Sequence, residues 1–337
     1  MNKPLISLVM PLRHAAPFLP AMLESLRVQT LNQWELLMVL DRADAETSHQ
    51  ARQAARRDER LQVLENRGRG IIQALETGRR NALGWALGRL DGDDKLPKER
   101  LAQMLAALQK AARKTIISGP VRYFSASGTV SPGYRRYEAW LNTNLRRPQP
   151  WQQVYRECLV ASPNWLLRRR ELAQAGGFRG LQYPEDYDLL FRWYRLGFKL
   201  QSLEEVSLYW REHPERTSRH SPHYQQGSFF RLKVTRFTQL DRNPQKVLYL
   251  LGAGQKGKWA ARVLKARGVA FQWLDRHPYQ ASGAHRKVQD RTLLPVDALE
   301  AGGQILVAVY PPRAQRAALN AFLEEKGYRE GFDYWYL

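Results

Sequence analysis

Residues 87–96 read LGRLDGDDKL, an apolar run followed at once by Asp91, Gly92, Asp93 and Asp94. The pattern predicts a buried strand that ends in a cluster of carboxylates. Such a cluster needs solvent, a basic neighbour or a metal ion, because carboxylates repel one another and are costly to desolvate. Taken alone, Asp-Gly is more typical of an exposed turn. The cluster therefore has to be interpreted together with the elements around it.

Short apolar strands alternate with helical segments on both sides of this cluster. Strands are predicted at 5–10, 34–41, 61–65 and 85–90, and helices in PFLPAMLESLRVQT, DAETSHQARQAARRDER and GIIQALETGRRNALG, the last ending at Gly84. This order predicts an α/β fold with a mainly parallel, doubly wound sheet. Ligands of such sheets bind beyond the carboxyl ends of the strands, which is where Asp41 and Asp91 are expected.

Length and composition indicate a globular protein of two domains. The chain has 337 residues, of which 44% are hydrophobic and 25% charged. No apolar run approaches the roughly 20 residues that cross a bilayer, and MNKPLISLVMPLRH lacks the pattern of a signal peptide, so a cytoplasmic protein is expected. The single cysteine, Cys158, excludes an internal disulfide and a thiolate zinc cage.

The net charge of the chain is unusual, at +21 with a pI near 10.3. Nucleic acid, anionic lipid head groups and a phosphate-rich substrate all suit such an excess of positive charge. The arginines are scattered, and neither a zinc finger nor an aromatic RNA-binding motif is present. Nucleic acid is therefore not expected as a partner, whereas an anionic membrane surface stays a candidate.

A second acidic pair opens the segment PEDYDLLFRWYRLGFKLQSL, in which Leu189, Leu190, Trp193 and Tyr194 line one helical face. The pair is Glu185 and Asp186, and its simplest role is to complement the dipole of the helix. Residues 211–245 then form a bridge with a basic aromatic helix containing Phe229, Phe230, Val234 and Phe237. We interpret this helix as a docking helix, with a membrane-surface contact as the alternative.

The C-terminal part begins a new alternating unit at VLYLLGAGQKGKWAARVLKARGVAFQWLDRHP. Glycines follow a strand and open a helix, and an aspartate closes the next strand about twenty residues later, which is the dinucleotide-binding arrangement. The residues of this candidate second nucleotide site are Gly252, Gly254, Gly257 and Asp275.

Over about residues 5–215 the chain resembles the family 2 glycosyltransferases with the GT-A fold. The motifs that carry the resemblance occur in the family's order: SLVMPLRHAAPFLPAMLESLRVQT, WELLMVLDRADAET, RGIIQALETGRRNALGWALGRLDGDD, SPNWLLRRRELAQAGGF, PEDYDLLFRW and LYWREHPERTS. The resemblance implies a GT-A-type mixed, mainly parallel sheet, followed by a smaller Rossmann-like α/β domain. The expected domains are 1–215, a bridge at 216–245, and 246–337.

The resemblance also implies roles for individual residues. The nucleotide sugar would be bound by Pro11, Asp41, Gly70, Asp91 and Glu185. Arg67 and Arg69, just before Gly70, are candidates for binding its diphosphate because guanidinium groups fork onto phosphate oxygens, and the simpler role of each is a solvated surface position. Mg²⁺ or Mn²⁺ would be held by Asp93 and His213. Asp186 would be the catalytic base that activates the acceptor hydroxyl, with Glu185 and Asp188 as alternatives. No protein nucleophile is required, so inversion of the anomeric centre is expected.

The expected function is metal-dependent transfer of a sugar from a nucleotide sugar to a glycan or lipid-linked acceptor in cell-surface polysaccharide biosynthesis, with peripheral attachment to the inner membrane. Glu76 stands where the family commonly has Asn, and RADAE follows Asp41 where a Gly-Ser turn is common, so the nucleotide stays open. The alternative is an NAD-dependent oxidoreductase using the C-terminal glycines. We expect that segment to be a degenerate module for docking or regulation rather than a working NAD site.

Overall fold

The computed structural model describes residues 3–126, 128–277, 279 and 283–337, without the side chains of residues 217 and 218. The chain divides into two compact units. The first comprises Met1–Pro150, Leu159–Leu181 and Glu185–Arg216, and the second comprises Trp151–Cys158, Gln182–Pro184 and Thr217–Leu337. The predicted bridge thus belongs, from residue 217 onward, to the same unit as the C-terminal sheet, while the predicted domain limits themselves stay a prediction.

In the part of the first unit that the structure describes there are nine strands and seven helices. The strands are β1 (Ile6–Leu12), β2 (Trp34–Leu40), β3 (Leu61–Glu65), β4 (Ala86–Arg89), β5 (Thr115–Ser118), β6 (Val121–Ser125), β7 (Leu166–Arg168), β8 (Lys199–Ser202) and β9 (Leu208–Glu212). The helices are α1 (Leu19–Arg27), α2 (Ala45–Arg57), α3 (Ile71–Asn81), α4 (Arg100–Lys110), α5 (Pro132–Leu145), α6 (Arg169–Gln174) and α7 (Glu185–Arg195).

Seven of these strands form one sheet in the order β3-β2-β1-β4-β7-β5-β8. Strand β7 runs antiparallel to β4 and β5, and the other neighbours are parallel. All seven residues of β2 are buried, as expected for a parallel strand covered by helices on both faces. The prediction of a mixed, mainly parallel doubly wound sheet is confirmed.

The prediction that α3 extends to Gly84 is wrong, because the helix ends at Asn81. Gly84 has a different purpose: a Cβ there would lie 2.6 Å from the backbone nitrogen of Ser7. The Gly84 N–H donates to Ser7 Oγ at 2.8 Å. A side chain at position 84 would therefore prevent the chain from entering β4 beside β1.

The second unit contains a separate five-stranded parallel sheet in the order β14-β11-β10-β15-β16. Its strands and those of a small hairpin are β10 (Leu248–Leu251), β11 (Gln272–Asp275), β12 (Lys287–Val288), β13 (Arg291–Thr292), β14 (Leu294–Pro295), β15 (Gln304–Val307) and β16 (Tyr334–Tyr336). The helices are α8 (Thr217–His220), α9 (Gln226–Leu240), α10 (Gln255–Ala266) and α11 (Arg313–Glu325). The Rossmann-like classification of this unit stays a prediction.

The basic aromatic helix of the predicted bridge is α9. Phe230, Val234 and Phe237 are buried, and the ring of Phe230 lies 5.5 Å from that of Trp259 in α10. The apolar face of α9 is thus covered by protein, as expected for a docking helix. Among the described residues, no helix is both long and apolar enough to cross a membrane.

Candidate active site

Three of the predicted nucleotide-binding residues, Pro11, Asp41 and Asp91, lie at the carboxyl ends of β1, β2 and β4, which are parallel and adjacent. Pro11 pairs with Val39 in the β1–β2 ladder. Asp41 directly follows β2, and its Oδ1 accepts hydrogen bonds from Asn66 Nδ2 at 2.7 Å and from the Gly70 N–H at 3.1 Å. The structure therefore brings Asp41 and Gly70 together although they are 29 positions apart in the sequence.

Residues 91–94, which we call the acidic tip, follow β4 at the same edge. Gly92 allows the tight path of this segment, since a Cβ there would lie 2.9 Å from a methyl group of Leu12. The buried guanidinium of Arg89 donates to Asp91 Oδ1 at 2.9 Å and to Glu185 Oε1 at 3.0 Å. Arg89 therefore joins the acidic tip to the first turn of α7.

The acidic tip is also fixed to the end of β9. Backbone hydrogen bonds of 3.0 Å in both directions connect Lys95 with Tyr209. The Arg211 N–H donates to Asp94 Oδ1 at 2.8 Å, and Arg211 Nε donates to the Asp93 carbonyl oxygen at 2.5 Å. These bonds hold the strand that precedes His213 against the aspartates.

His213 and Asp93 meet as a pair. His213 Nε2 lies 2.9 Å from Asp93 Oδ2, and the imidazole ring lies 4.5 Å from the ring of Phe18. His213 Nδ1 is buried without a hydrogen-bond partner in the part of the chain that the structure describes. The two predicted metal ligands are thus adjacent although they are 120 positions apart in the sequence.

Burial and charge separate the three aspartates of the acidic tip. Burial raises the pKa of Asp91, although the charge of Arg89 opposes the rise. Burial also raises the pKa of Asp94 far above its usual range, with the charge of Asp93 adding to the effect. Burial would raise the pKa of Asp93 too, but the His213 hydrogen bond and the charge of Arg216 hold it below the usual value. Asp93 is therefore the aspartate of the three whose charged form is favoured.

Asp186 stands at the start of α7, beside Glu185. Burial raises the pKa of Asp186 to about 7, and the neighbouring Glu185 carboxylate adds to this rise. The side chain lines a pocket together with Arg89, Glu185 and Trp165. A carboxylate with a pKa near neutrality is suited to accept and release a proton, which is the requirement for a general base.

A divalent cation fits the Asp93 and His213 pair only if a ligand completes its coordination. No set of three or more His, Cys, Asp or Glu side chains in the described ranges is arranged to hold a metal ion. The pair offers one carboxylate and one imidazole, whose Nδ1 has no hydrogen-bond partner among the described residues. Mg²⁺ and Mn²⁺ sites often combine one or two protein ligands with substrate phosphates and water. The donor set is therefore compatible with a cation shared with a phosphate ligand.

The sequence analysis missed the roles of four residues of the site region: Arg89, Asp94, Arg211 and Glu76. Glu76 is buried and accepts hydrogen bonds from Arg79 and Arg80 at 2.7 and 3.0 Å. Burial opposes the charge of Glu76, but these arginines outweigh it and hold its pKa below the usual value. The signal in the sequence was the spacing of Arg79 and Arg80, three and four positions after Glu76. Arg67 and Arg69 lie exposed on the surface.

The candidate second nucleotide site is a tight segment, Gly252–Gly257, which we call the glycine turn. Gly252 has a φ of 106°, and a Cβ on Gly257 would lie 1.9 Å from the Gly252 carbonyl oxygen. Asp275 Oδ2 accepts the Ala253 N–H at 2.7 Å, and Asp275 Oδ1 accepts the His277 N–H at 2.9 Å. The predicted residues of this site are thus adjacent, and nucleotide binding by them stays a prediction.

Comparison with known proteins shows the family. Residues 7–177, half of the chain, match the model of glycosyl transferase family 2. The chain belongs to this family. It is similar to the uncharacterized glycosyltransferase EpsJ of Bacillus subtilis, with 26% identity over 217 residues, 63% of this chain and 62% of EpsJ. It is also similar to the uncharacterized protein y4gI of Sinorhizobium fredii, with 28% identity over 57% of this chain and 20% of y4gI.

The chain thus spans less than two thirds of either of these curated relatives. Among solved structures, it is similar to residues 1–349 of S. aureus TarS in complex with UDP-GlcNAc, with a TM-score of 0.54, 16% identity, and coverage of 71% of this chain and 68% of TarS. It is also similar to the mannosyltransferase PcManGT of Pyrobaculum calidifontis in complex with GDP-Man and Mn²⁺, with a TM-score of 0.52, 18% identity, and coverage of 80% and 76%. These similarities confirm the GT-A fold. None of these matches supports the alternative of an NAD-dependent oxidoreductase.

Proposed function

We propose that this protein transfers a sugar from a nucleotide-sugar donor to a glycan or lipid-linked acceptor, with the help of Mg²⁺ or Mn²⁺ and with inversion of the anomeric centre. The observation that carries the proposal is the meeting of Asp93 and His213, at 2.9 Å, beyond the carboxyl end of β4. The ligands named for TarS and PcManGT, UDP-GlcNAc, GDP-Man and Mn²⁺, lend support by analogy of fold.

We assign donor binding to the edge formed by β1, β2 and β4. The hydrogen bonds from Asn66 and Gly70 occupy Oδ1 of Asp41, so its Oδ2 is assigned to the nucleobase or ribose. Arg89 holds Asp91 and Glu185 in place on the donor side. The list of proposed donor-binding residues is completed by Pro11, Arg67 and Gly70.

A cation held by Asp93, His213 and the donor would supply positive charge against the charge that develops on the leaving diphosphate. As the oxygen of the acceptor hydroxyl bonds to the anomeric carbon, Asp186 accepts the proton of that hydroxyl. The bond from that carbon to the diphosphate oxygen breaks in the same step. Because the attack is opposite to the leaving group and uses no protein nucleophile, the configuration inverts.

The acceptor and the location belong to the proposal as well. A net charge of +21 suits anionic carriers of surface glycans, and we propose that the protein works in the cytoplasm, attached peripherally to the inner membrane during cell-surface polysaccharide synthesis. The family match ends at residue 177, before the C-terminal sheet begins. We assign residues 246–337 a docking or regulatory role rather than hydride transfer.

The test is release of nucleotide from a panel of UDP-, GDP- and dTDP-sugars in the presence of Mn²⁺ or Mg²⁺. We expect release from at least one donor, and we expect Asp93→Ala to lower it by about 10²-fold or more, because the charge on the leaving group loses its stabilisation. Asp297→Asn, at an exposed position of the second unit, is the control and should match the wild type. Equal activity of Asp93→Ala and wild type would contradict the metal assignment.

A further inference from the structure

Two large apolar side chains of the first unit are exposed next to each other, on either side of Gly84. Leu83 is 54% exposed and Trp85 is 41% exposed. Hydrogen bonds fix the backbone of both: the Leu83 N–H donates to Glu35 Oε1 at 2.7 Å, and the Trp85 carbonyl oxygen accepts the Arg169 N–H at 2.9 Å. Single exposed apolar residues are common, but a neighbouring pair in a fixed place is a candidate interaction surface.

Trp85 directly precedes β4, so the pair lies at the amino end of that strand, and two other segments surround it. The Trp85 ring centre lies 5.6 Å from the guanidinium carbon of Arg168, the last residue of β7. Arg168 Nη2 donates to the Leu108 carbonyl oxygen at 2.9 Å, in the last turn of α4. Arg169 Nε donates to the Gly84 carbonyl oxygen at 2.7 Å. The end of α4 and the residues after β7 therefore lie beside the exposed pair.

The three segments that meet here are strongly basic. They are residues 79–85, 108–114 and 168–174, all within the described part of the chain, and their only carboxylate, that of Glu171, is buried. Basic residues at helix ends complement the helix dipole, which accounts for part of this excess. Such complementarity does not require exposed apolar neighbours. We call the exposed pair and the basic side chains of these three segments the amino-end patch.

We propose that the amino-end patch attaches this protein to a bilayer of anionic lipids, an inference that rests on the membrane attachment in the proposed function. Anionic head groups are complementary to its arginines and lysines. Leu83 and Trp85 enter the interfacial layer beside those head groups, where indole rings are common because they combine an apolar body with a polar N–H. Because the backbone of the pair is already fixed, little conformational entropy is lost on contact.

The chemistry of the amino-end patch favours a bilayer over other polyanionic partners. The phosphates of nucleic acid would match the charge but would leave the Leu83 side chain without an apolar environment. A stable interface with an acidic protein needs a larger apolar core than two side chains supply. The other candidate for membrane contact, helix α9, has its apolar face covered within the protein.

Attachment through the amino-end patch leaves the active site accessible. Trp85 and Asp91 are six positions apart and lie at opposite ends of β4, which corresponds to about 20 Å at roughly 3.3 Å per residue. An acceptor anchored in the same bilayer must extend over a similar length, as a glycan chain can. Substitutions in the patch should consequently weaken membrane binding and leave nucleotide release unchanged.

The experiment is flotation of the full chain with phosphatidylcholine vesicles, with and without phosphatidylglycerol, at low ionic strength. We expect the wild type to bind only the vesicles that contain phosphatidylglycerol. Arg113→Gln/Arg170→Gln removes two exposed charges of the patch and should weaken binding about 10- to 30-fold, because each basic residue at an anionic surface strengthens binding about fivefold. The matched control is Arg122→Gln/Arg136→Gln, at exposed positions of β6 and α5, which should lose less than about threefold.

The apolar part of the patch is tested by Leu83→Ser, which keeps the charge. We expect this variant to bind anionic vesicles about three- to tenfold more weakly, because the apolar area that enters the interface is lost. The matched control is Phe332→Ser, which removes a side chain of the second unit that is 51% exposed and should bind like the wild type. Nucleotide release with Mn²⁺, measured on every variant, should stay at the wild-type level.

The outcomes separate the inference from the proposed function. If the double variant and its control lose equal affinity, or if Leu83→Ser binds like the wild type, the patch is not the contact and the inference is wrong. If the wild type binds no anionic vesicles, the inference and the proposed membrane attachment are both wrong, whereas nucleotide release still tests the transferase. RNA binding that the double variant loses, without vesicle binding by the wild type, would assign the patch to nucleic acid instead. Should Leu83→Ser fail to fold in thermal unfolding, the double variant and its control decide.

Discussion

The acidic tip and the glycine turn have the same plan in the sequence but different hydrogen bonding in the structure. Each follows a buried parallel strand, contains glycine and has an aspartate at a strand end. Beside the glycine turn, one carboxylate oxygen of Asp275 accepts the N–H of Ala253 in that turn. The other accepts the N–H of His277 in the loop after β11. At the acidic tip, Asp94 Oδ2 and His213 Nδ1 are buried without a partner in the described ranges.

This difference teaches what makes a strand-end aspartate a binding residue. Buried polar groups are almost always hydrogen-bonded to protein, water or a ligand, so partnerless atoms beside charged groups are candidates for contact with a ligand. A carboxylate that is saturated by backbone N–H groups stabilises its loop instead. The glycine turn has a further internal hydrogen bond, in which the Trp273 indole N–H donates to the Gly252 carbonyl oxygen at 2.9 Å. We therefore expect substitutions at the two places to have different consequences.

The largest effect is expected beside the acidic tip, for Asp186→Asn. Loss of the general base should lower the rate of nucleotide release, with water or a sugar as acceptor, by about 10²- to 10⁴-fold. Binding of the nucleoside diphosphate should change little, because the amide keeps the size of the side chain. Steady-state kinetics combined with calorimetry check this prediction. If the variant kept the wild-type rate, Asp186 would not be the base, and Glu185 or Asp188 would have that role.

The pH dependence should be the next largest effect. Because burial raises the pKa of Asp186 to about 7, this group is protonated below that pH and cannot accept a proton. We expect kcat/KM for the wild type to fall about tenfold for each pH unit below about 7 and to level off above it. The residual activity of Asp186→Asn should lack this limb. A wild-type profile that stays level down to pH 5 would contradict the assignment.

The smallest effect is expected at the glycine turn, for Asp275→Ala. The variant leaves the N–H groups of Ala253 and His277 without their acceptor and should lose about 1 to 3 kcal/mol of folding free energy. Nucleotide release per folded molecule should not change. Urea unfolding and the release assay measure the two quantities, with Asp297→Asn as control. If stability is unchanged but NADH binding, measured by fluorescence, is present in the wild type and lost in the variant, the glycine turn is a binding site after all.

Periodicity predicted most of the fold because parallel strands that are buried on both faces need continuous apolar runs. WELLMVL and LISLVM are runs of this kind. Their alternation with amphipathic helices predicted that the neighbouring strands run parallel. The end of α3 was missed because Gly84 was interpreted as a helix stop. Glycine is needed at position 84 instead because the backbone of Ser7, which is distant in the sequence, lies very close to it.

The candidate site was predicted in its residues but not in its connections. Asp91, Asp93, Glu185, Asp186 and His213 were chosen from motifs that resemble those of the family, while the hydrogen bonds of Arg89 and Arg211 that join them could not be seen in the sequence. Arginine is frequent in this chain, so no single arginine stands out by type or spacing. Pairings across more than a hundred residues depend on which strand lies beside which, and a linear pattern does not contain that information.

The sequence by itself determined the layered α/β architecture and the edge at which carboxylates gather, because these follow from local periodicity and strand polarity. Its motifs also resembled those of the family to which the chain belongs. Only the tertiary structure decided which polar atoms are satisfied and which are left for a ligand. The physical reason is that a hydrogen bond or a pKa depends on burial and on neighbours brought in from elsewhere in the chain. An aspartate at a strand end can thus stabilise its own loop in one place and be available to a ligand in another.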